Sequence, residues 1–157
     1  EVEDAYHRLL ENAGSYNQQA HIEGVLVQEM LGEGLEIIVG IKKDPVFGPA
    51  VMLGLGGIFV EVLKDVSTRI APLRRADALA MIDELKGRAM FDAVRGRKPR
   101  DREALVELLL KVSRLAVELE EELAELDINP LILFEEGRGC MAADALFIRD
   151  HTEKGFK

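Results

Sequence analysis

Apolar residues change their spacing twice along this chain. Val2, Ala5, Tyr6, Leu9 and Leu10 recur at helical intervals, and Asn12 with Gly14 offers a stop, so the spacing predicts a short amphipathic helix at the start. A polar loop follows through Gln19. From Gly24 to Leu73, runs of Val, Ile and Leu are punctuated by eight glycines between Gly24 and Gly57, the pattern of short strands joined by tight turns. Strands are expected near 24–30, 35–43, 49–54, 58–63 and 68–73. Lys42, Lys43 and Asp44 lead into Pro45, and Gly48 with Pro49 completes a turn, so an antiparallel hairpin is the simplest connection there.

Beyond Pro72 the period becomes helical. Asp77 is placed to cap a helix carrying Leu79, Ile82 and Leu85, with Gly87 as its end, and Ala89, Met90, Phe91 and Val94 mark a shorter one. Asp101 starts the clearest helix, whose apolar face runs Leu105, Leu108, Leu109, Val112, Leu115, Ala116, Leu119 and Leu123. The six acidic residues from Glu118 to Asp127 read as that helix's wet face. Leu126 to Ile148 reads as two strands around Glu136-Gly137, followed by a polar tail from Asp150 to Lys157. Strands, then helices, then a strand pair predict an α+β fold on an antiparallel sheet flanked by helices, because a parallel sheet would need a helix between successive strands.

Composition narrows the class. With 157 residues, 48% of them hydrophobic, the chain can bury one core, so one domain is expected. The formal net charge of −9 disfavours a nucleic-acid or anionic-membrane binder, which would need a cationic face. The apolar stretch Ala50 to Val60, between Pro49 and Glu61, has eleven residues. A spanning helix needs ~20. A soluble, cytoplasmic protein is therefore expected, and the lone Cys140 has no internal disulfide partner. The start at Glu1, directly in helical pattern, suggests a piece of a longer polypeptide.

Several residues could carry chemistry. The cluster Leu53-Gly54-Leu55-Gly56-Gly57 lacks the Gly-Lys-Ser/Thr of a phosphate loop, and Phe59 stands where a dinucleotide fingerprint needs glycine. A tight turn between buried strands is the favoured reading, with backbone approach to a ligand left open. In the closing strand pair, a two-residue turn at Glu136 and Gly137 sets Glu135 opposite Arg138 and, counting outward, Asn129 opposite Asp144. An amide oxygen and a carboxylate so placed could converge on one hard cation such as Mg2+. The neighbours Leu131, Leu133, Ala142, Leu146 and Ile148 would lie on that same apolar face, where a chance polar pair is costly. The residues alone leave open the alternative, in which Asn129 starts a turn with Pro130 and Asp144 is an ordinary hydrogen-bonded polar residue. Glu36 could meet a ribose diol or be a solvated strand-entry residue. His7, His21 and His151 are scattered, Cys140 reads as a strand residue, and the basic run Arg95, Arg97, Lys98, Arg100 and Arg102 reads as a solvated loop near helix ends.

The runs GVLVQEMLGEGLEIIVGIKKDPVFGPAVMLGLGGIFVEVLKDVS and LDINPLILFEEGRGCMAADAL closely resemble the nucleotide-binding beta part of ADP-forming acyl-CoA synthetases of the acetyl-CoA type, within the ATP-grasp superfamily. A more distant likeness is to the succinyl-CoA synthetase beta chain. The resemblance runs from about Ala5 to Ile148. It implies the second, C-terminal ATP-grasp subdomain over 1–149, with 150–157 as a tail, and a first subdomain not present in this sequence. It further implies that Gln28 to Leu31 form a hinge reading the adenine edge, with Gln28, Met30 and Leu31 in contact, that Glu36 lies near the ribose, and that Asn129 and Asp144 hold magnesium. No catalytic residue of this chain follows from it. The implied ligands are ATP or ADP with Mg2+. The implied partners are the other ATP-grasp half and a CoA-binding alpha part or domain bearing a phosphohistidine, in an oligomeric enzyme without nucleic acid or membrane. The implied reaction converts acyl-CoA, ADP and phosphate reversibly to acid, CoA and ATP. The competing class is a non-catalytic, regulatory ATP-grasp module of a fused protein acetyltransferase.

Overall fold

A computed structural model describes residues 1–57, 65–93, 96 and 98–150. It divides into two compact units, Glu1–Met30 and Leu31–Lys157. The first holds helix α1, Val2–Tyr16. This helix runs through Gly14, where a stop was expected, and ends at Asn17, whose N–H bonds the Ala13 carbonyl. The strand expected at 24–30 is absent: the segment has no regular secondary structure, and Leu26, Val27 and Met30 are 79%, 84% and 93% exposed. A strand persists where a neighbour takes up its N–H and C=O groups, and no described residue pairs with this one.

The second unit is a six-stranded antiparallel sheet. Strands β1 (Leu35–Asp44) and β2 (Gly48–Leu55) form the expected hairpin, with Asp44 opposite Gly48. Asp44 Oδ1 accepts from the Val46 and Phe47 N–H groups, and Gly48 takes a φ of 82° that a side chain would strain. Strand β3 (Val66–Ile70) pairs with β2 and begins before the expected 68–73. The strand expected at 58–63 lies outside the described residues. On the other side, β4 (Leu123–Leu133) pairs with β1, and both β5 (Cys140–Ala142) and β6 (Ala145–Arg149) pair with β4.

One face of the sheet is covered by helices. α2 spans Arg75–Glu84 and α3 spans Arg102–Glu118, with a single 3-10 turn at Arg88–Phe91 between them. Asp77 is not the N-cap of α2 but sits three residues in, where its carboxylate accepts from the Arg74 N–H. The buried face of α2 is Ala78, Met81 and Ile82 rather than the expected Leu79, which is 38% exposed. Asp101 caps α3 as expected. That helix stops at Glu118, so Leu123, Glu125 and Asp127 belong to β4 and not to its faces. Leu105, Leu109, Val112 and Ala116 of α3 meet Ile37, Val39, Val51, Leu53 and Leu131 in one core. Each Leu, Ile or Val among them contributes about 1.5–3 kcal/mol by leaving water. Buried Ser113 accepts from the Leu73 N–H through Oγ at 2.7 Å, which satisfies the polar group within the apolar helix face.

Candidate functional site

Among the described residues, no helix of this unit covers the opposite face of the sheet. Along β1 the core takes Leu35, Ile37, Val39 and Ile41, so Glu36, Ile38, Gly40 and Lys42 alternate onto the open face. β4 buries Leu126 and Ile128, then Leu131 and Leu133, a step of three in place of two. The break falls at the cis Asn129-Pro130 bond. Ile37 pairs with Leu131 and Val39 with Ile128, so Asn129 and Pro130 together stand opposite Ile38 alone. This is a β-bulge, and it turns Asn129 onto the open face with Glu125 and Asp127.

The bulge corrects part of the strand-pair expectation. Leu131 and Leu133 lie in the core and Ala142 pairs with Leu131, so these three are not on the face of Asn129. Leu146 and Ile148, paired with Asp127 and Glu125, do share it. Asn129 and Asp144 are exposed, so the cost of burying a polar pair does not apply to them. The register itself is the counted one. Leu133 pairs with Cys140 and Leu131 with Ala142, then Ile128 with Ala145 and Glu125 with Ile148, all on one register. At the gap between β5 and β6, the Asn129 N–H donates to the Asp144 carbonyl at 3.1 Å and the Ala143 N–H to the Pro130 carbonyl at 2.9 Å. Asp144 Oδ1 accepts from the Ala145 N–H at 2.8 Å.

Beside Asn129 lies a shallow depression of about 270 Å3, lined among others by Ile38, Gly40, Lys42, Met52 and Asp127. Gly40 forms part of its floor, since a Cβ there would stand 3.3 Å from Met52 Cε. Glu36, exposed, marks the other end of the open stretch of β1. Its carbonyl accepts from the Gly56 N–H at 2.7 Å, which brings the glycine cluster against it. Leu31 is half-buried in the second unit, whereas Gln28 and Met30 belong to the first and are exposed.

The ATP-grasp domain family matches residues 1–148. The chain belongs to the ATP-grasp family. Within it, the beta subunit of ADP-forming acetate–CoA ligase II from Pyrococcus furiosus is 45% identical over 148 residues, covering 94% of this chain and 63% of that protein. The ADP-forming 4-hydroxybutyrate–CoA ligase of Nitrosopumilus maritimus is 44% identical over 92% of this chain and 20% of its own length. A solved structure of acetyl-coenzyme A synthetase 1 from Ca. Korarchaeum cryptofilum, in complex with coenzyme A and Mg-AMPPCP, has a TM-score of 0.79 at 42% identity, covering 95% of this chain and 63% of that one. This ATP-grasp chain thus spans less than two thirds of the length of the beta subunit it matches. The family resemblance of the motifs and the α+β fold on an antiparallel sheet both hold.

Other features of the ATP-grasp chain have structural uses. Burial pushes the Cys140 thiol above its usual value and nearby Asp101 adds to this, so the thiol is not an activated nucleophile. Of the basic run, Arg95 and Arg97 lie outside the described residues, the Arg100 backbone forms an antiparallel β-bridge with that of Glu135, and the Arg102 side chain pairs with Asp83. Among the described residues no three His, Cys, Asp or Glu cluster as metal ligands, and no helix is long and apolar enough to cross a membrane. Sequence reasoning missed Gly40, Met52 and Asp127 as lining of the open face. The acidic run from Glu118 has the look of a helix's wet face, which conceals Asp127; strand alternation through Glu125, Asp127 and Asn129 is the signal that reveals it.

Proposed function

We propose that this chain is the nucleotide-binding part of an ADP-forming acid–CoA ligase and that it passes phosphate between ATP or ADP and a phosphohistidine on a CoA-binding partner part. The observation that carries this reading is the line of groups on the open sheet face. Glu36 stands at one end for the ribose, Asn129 projects at the bulge beside Ile38 with Asp144 opposite it, and the depression over Gly40 follows. A nucleotide laid along β1 would therefore bring its terminal phosphates to the bulge. Gln28, Met30 and Leu31 would read the adenine edge through the hinge backbone.

The donors at the bulge fit Mg2+, because an exposed amide oxygen and an exposed carboxylate are hard oxygens and Mg2+ usually keeps most of its sites for water and phosphate. When bound, Mg2+ would neutralise charge on the terminal phosphate oxygens. Asn129 and Asp144 orient that end of the nucleotide, Glu36 holds the ribose end, and the sheet supplies a fixed floor, so the chain's contribution is positioning. The P. furiosus and N. maritimus relatives are named for different acids and match to nearly equal extent, which suits a part that handles nucleotide and leaves the acid to the partner. The Korarchaeum structure is described with its phosphohistidine segment pointing towards the nucleotide binding site, the approach this reading requires.

The test is phosphohistidine formation from radiolabelled ATP in the complete protein with its CoA-binding part. Label that appears only with magnesium and is discharged by ADP supports the proposal. An unlabelled partner despite bound nucleotide would refute it and favour a regulatory module.

A further inference from the structure

Asp101 does more than cap a helix. An N-cap needs one acceptor oxygen, and Asp101 Oδ1 provides it to the Ala104 N–H at 3.1 Å. The other oxygen, Oδ2, accepts from both Gly137 and Gly139 N–H groups at 2.9 Å each. Gly137 lies in the turn of the β4–β5 hairpin and Gly139 just beyond it, with φ of 81° and 76°. The same strip of chain holds the turn by its backbone: Asp101 N–H donates to the Phe134 carbonyl at 3.0 Å and Glu136 N–H to the Pro99 carbonyl at 2.8 Å. The side chain is buried at 8% exposure, so these donors have no water to replace it.

This turn sets the register of everything beyond it. A slip by one residue would put Ala143 or Ala145 opposite Asn129 in place of Asp144 and would reverse the faces of β5 and β6. We infer that Asp101 is a positioning residue for nucleotide phosphorylation: by clamping Gly137 and Gly139 to the start of α3, it fixes the register that holds Asp144 opposite Asn129. The inference rests on the metal reading of that pair.

Two substitutions separate the clamp from the cap. Asp101→Ser keeps a capping oxygen on a side chain too short to reach the turn, and Asp101→Asn keeps one acceptor while turning an NH2 towards two N–H donors. In the complete enzyme, both are expected to raise the magnesium concentration for half-maximal phosphohistidine formation by about tenfold, the low end for groups that orient metal ligands. CoA binding should be unchanged. Hydrogen exchange in peptides covering Asn129 and Ala143, whose N–H groups cross the gap, should accelerate in step. Unchanged exchange there overturns the inference. So does faster exchange with a normal magnesium dependence, or failure of both variants to fold, which would make Asp101 a support of the whole domain. Asp144→Asn, run in parallel, marks the other failure. If it too leaves the magnesium dependence normal, the metal reading has fallen and the clamp's role in the site with it. If it alone changes that dependence, only the clamp is wrong.

Discussion

Gly56 lies directly against the backbone of Glu36. A Cβ at position 56 would stand 2.7 Å from Glu36 Cβ and 2.9 Å from its carbonyl carbon, so no side chain fits without moving β1. Gly56→Ala is therefore expected to destabilise the domain by about 1–3 kcal/mol. It should also weaken ADP binding in the complete protein, because the atoms displaced are those that present Glu36. Calorimetric titration of the variant against Gly24→Ala, where a Cβ meets nothing within 4 Å, checks this. Equal affinities would remove Glu36 from the nucleotide site.

The hinge and the ribose contact differ in which atoms do the binding. A hinge that reads adenine through N–H and C=O groups tolerates a changed side chain, whereas Glu36 would act through its carboxylate. Glu36→Ala should raise the Kd for ADP by about tenfold or more, the scale of a charge-assisted hydrogen bond. Gln28→Ala should change it by less than about threefold. The reverse order in a titration of the complete protein would mean that the glutamine side chain reads the base.

What the sequence made legible was local, and what it concealed was tertiary. The hairpin at Asp44–Gly48, the cap at Asp101 and the register from Glu136-Gly137 each follow from a few neighbouring residues, and each is present. Strict alternation through Pro130 puts Leu131 and Leu133 on the face of Asn129, but a bulge there shifts the phase by one residue and turns them into the core. Apolar runs punctuated by glycine predict the strand at 24–30, but that pattern does not supply a pairing partner. The clamp on Gly137 and Gly139 spans 36 and 38 residues of sequence and left no signal beyond an ordinary capping aspartate.

Asp101 also predicts a pH dependence. Burial raises its carboxyl, but N–H donors from Gly139, Ala104 and Gly137 outweigh that and hold it below its ordinary value. A carboxyl lowered in the folded state stabilises above the unfolded pKa of about 3.9, and that contribution is lost as pH falls through the folded value. Near neutral pH, Asp101→Asn should cost about 2 kcal/mol, as for a hydrogen-bonded charge. The gap in unfolding midpoint between the wild type and this variant should then narrow as pH is taken from about 6 to below about 4. A gap constant with pH would show that the charge of Asp101 contributes nothing.

The metal pair gives the sharpest outcome, since the two residues differ in charge and share exposure. Asp144→Asn removes the formal charge of the pair and keeps its shape, so magnesium-dependent phosphohistidine formation in the complete protein should fall by about tenfold or more at limiting magnesium. Asn129→Ala should act in the same direction less severely, because a neutral amide oxygen attracts a hard dication more weakly than a carboxylate does. Both side chains are exposed, so thermal unfolding should shift by no more than about 0.5 kcal/mol in equivalent stability. Lys42 lines the depression next to Asn129 and is charged but carries no metal-binding oxygen, so Lys42→Met is the control for a nonspecific loss of surface charge. The measurement is a magnesium series for each variant beside its unfolding curve, with CoA binding followed separately. A higher magnesium requirement in Asp144→Asn and Asn129→Ala, absent from Lys42→Met, supports the assignment. If Asp144→Asn keeps the wild-type requirement, Asp144 is only the acceptor for the Ala145 N–H and the metal assignment is wrong.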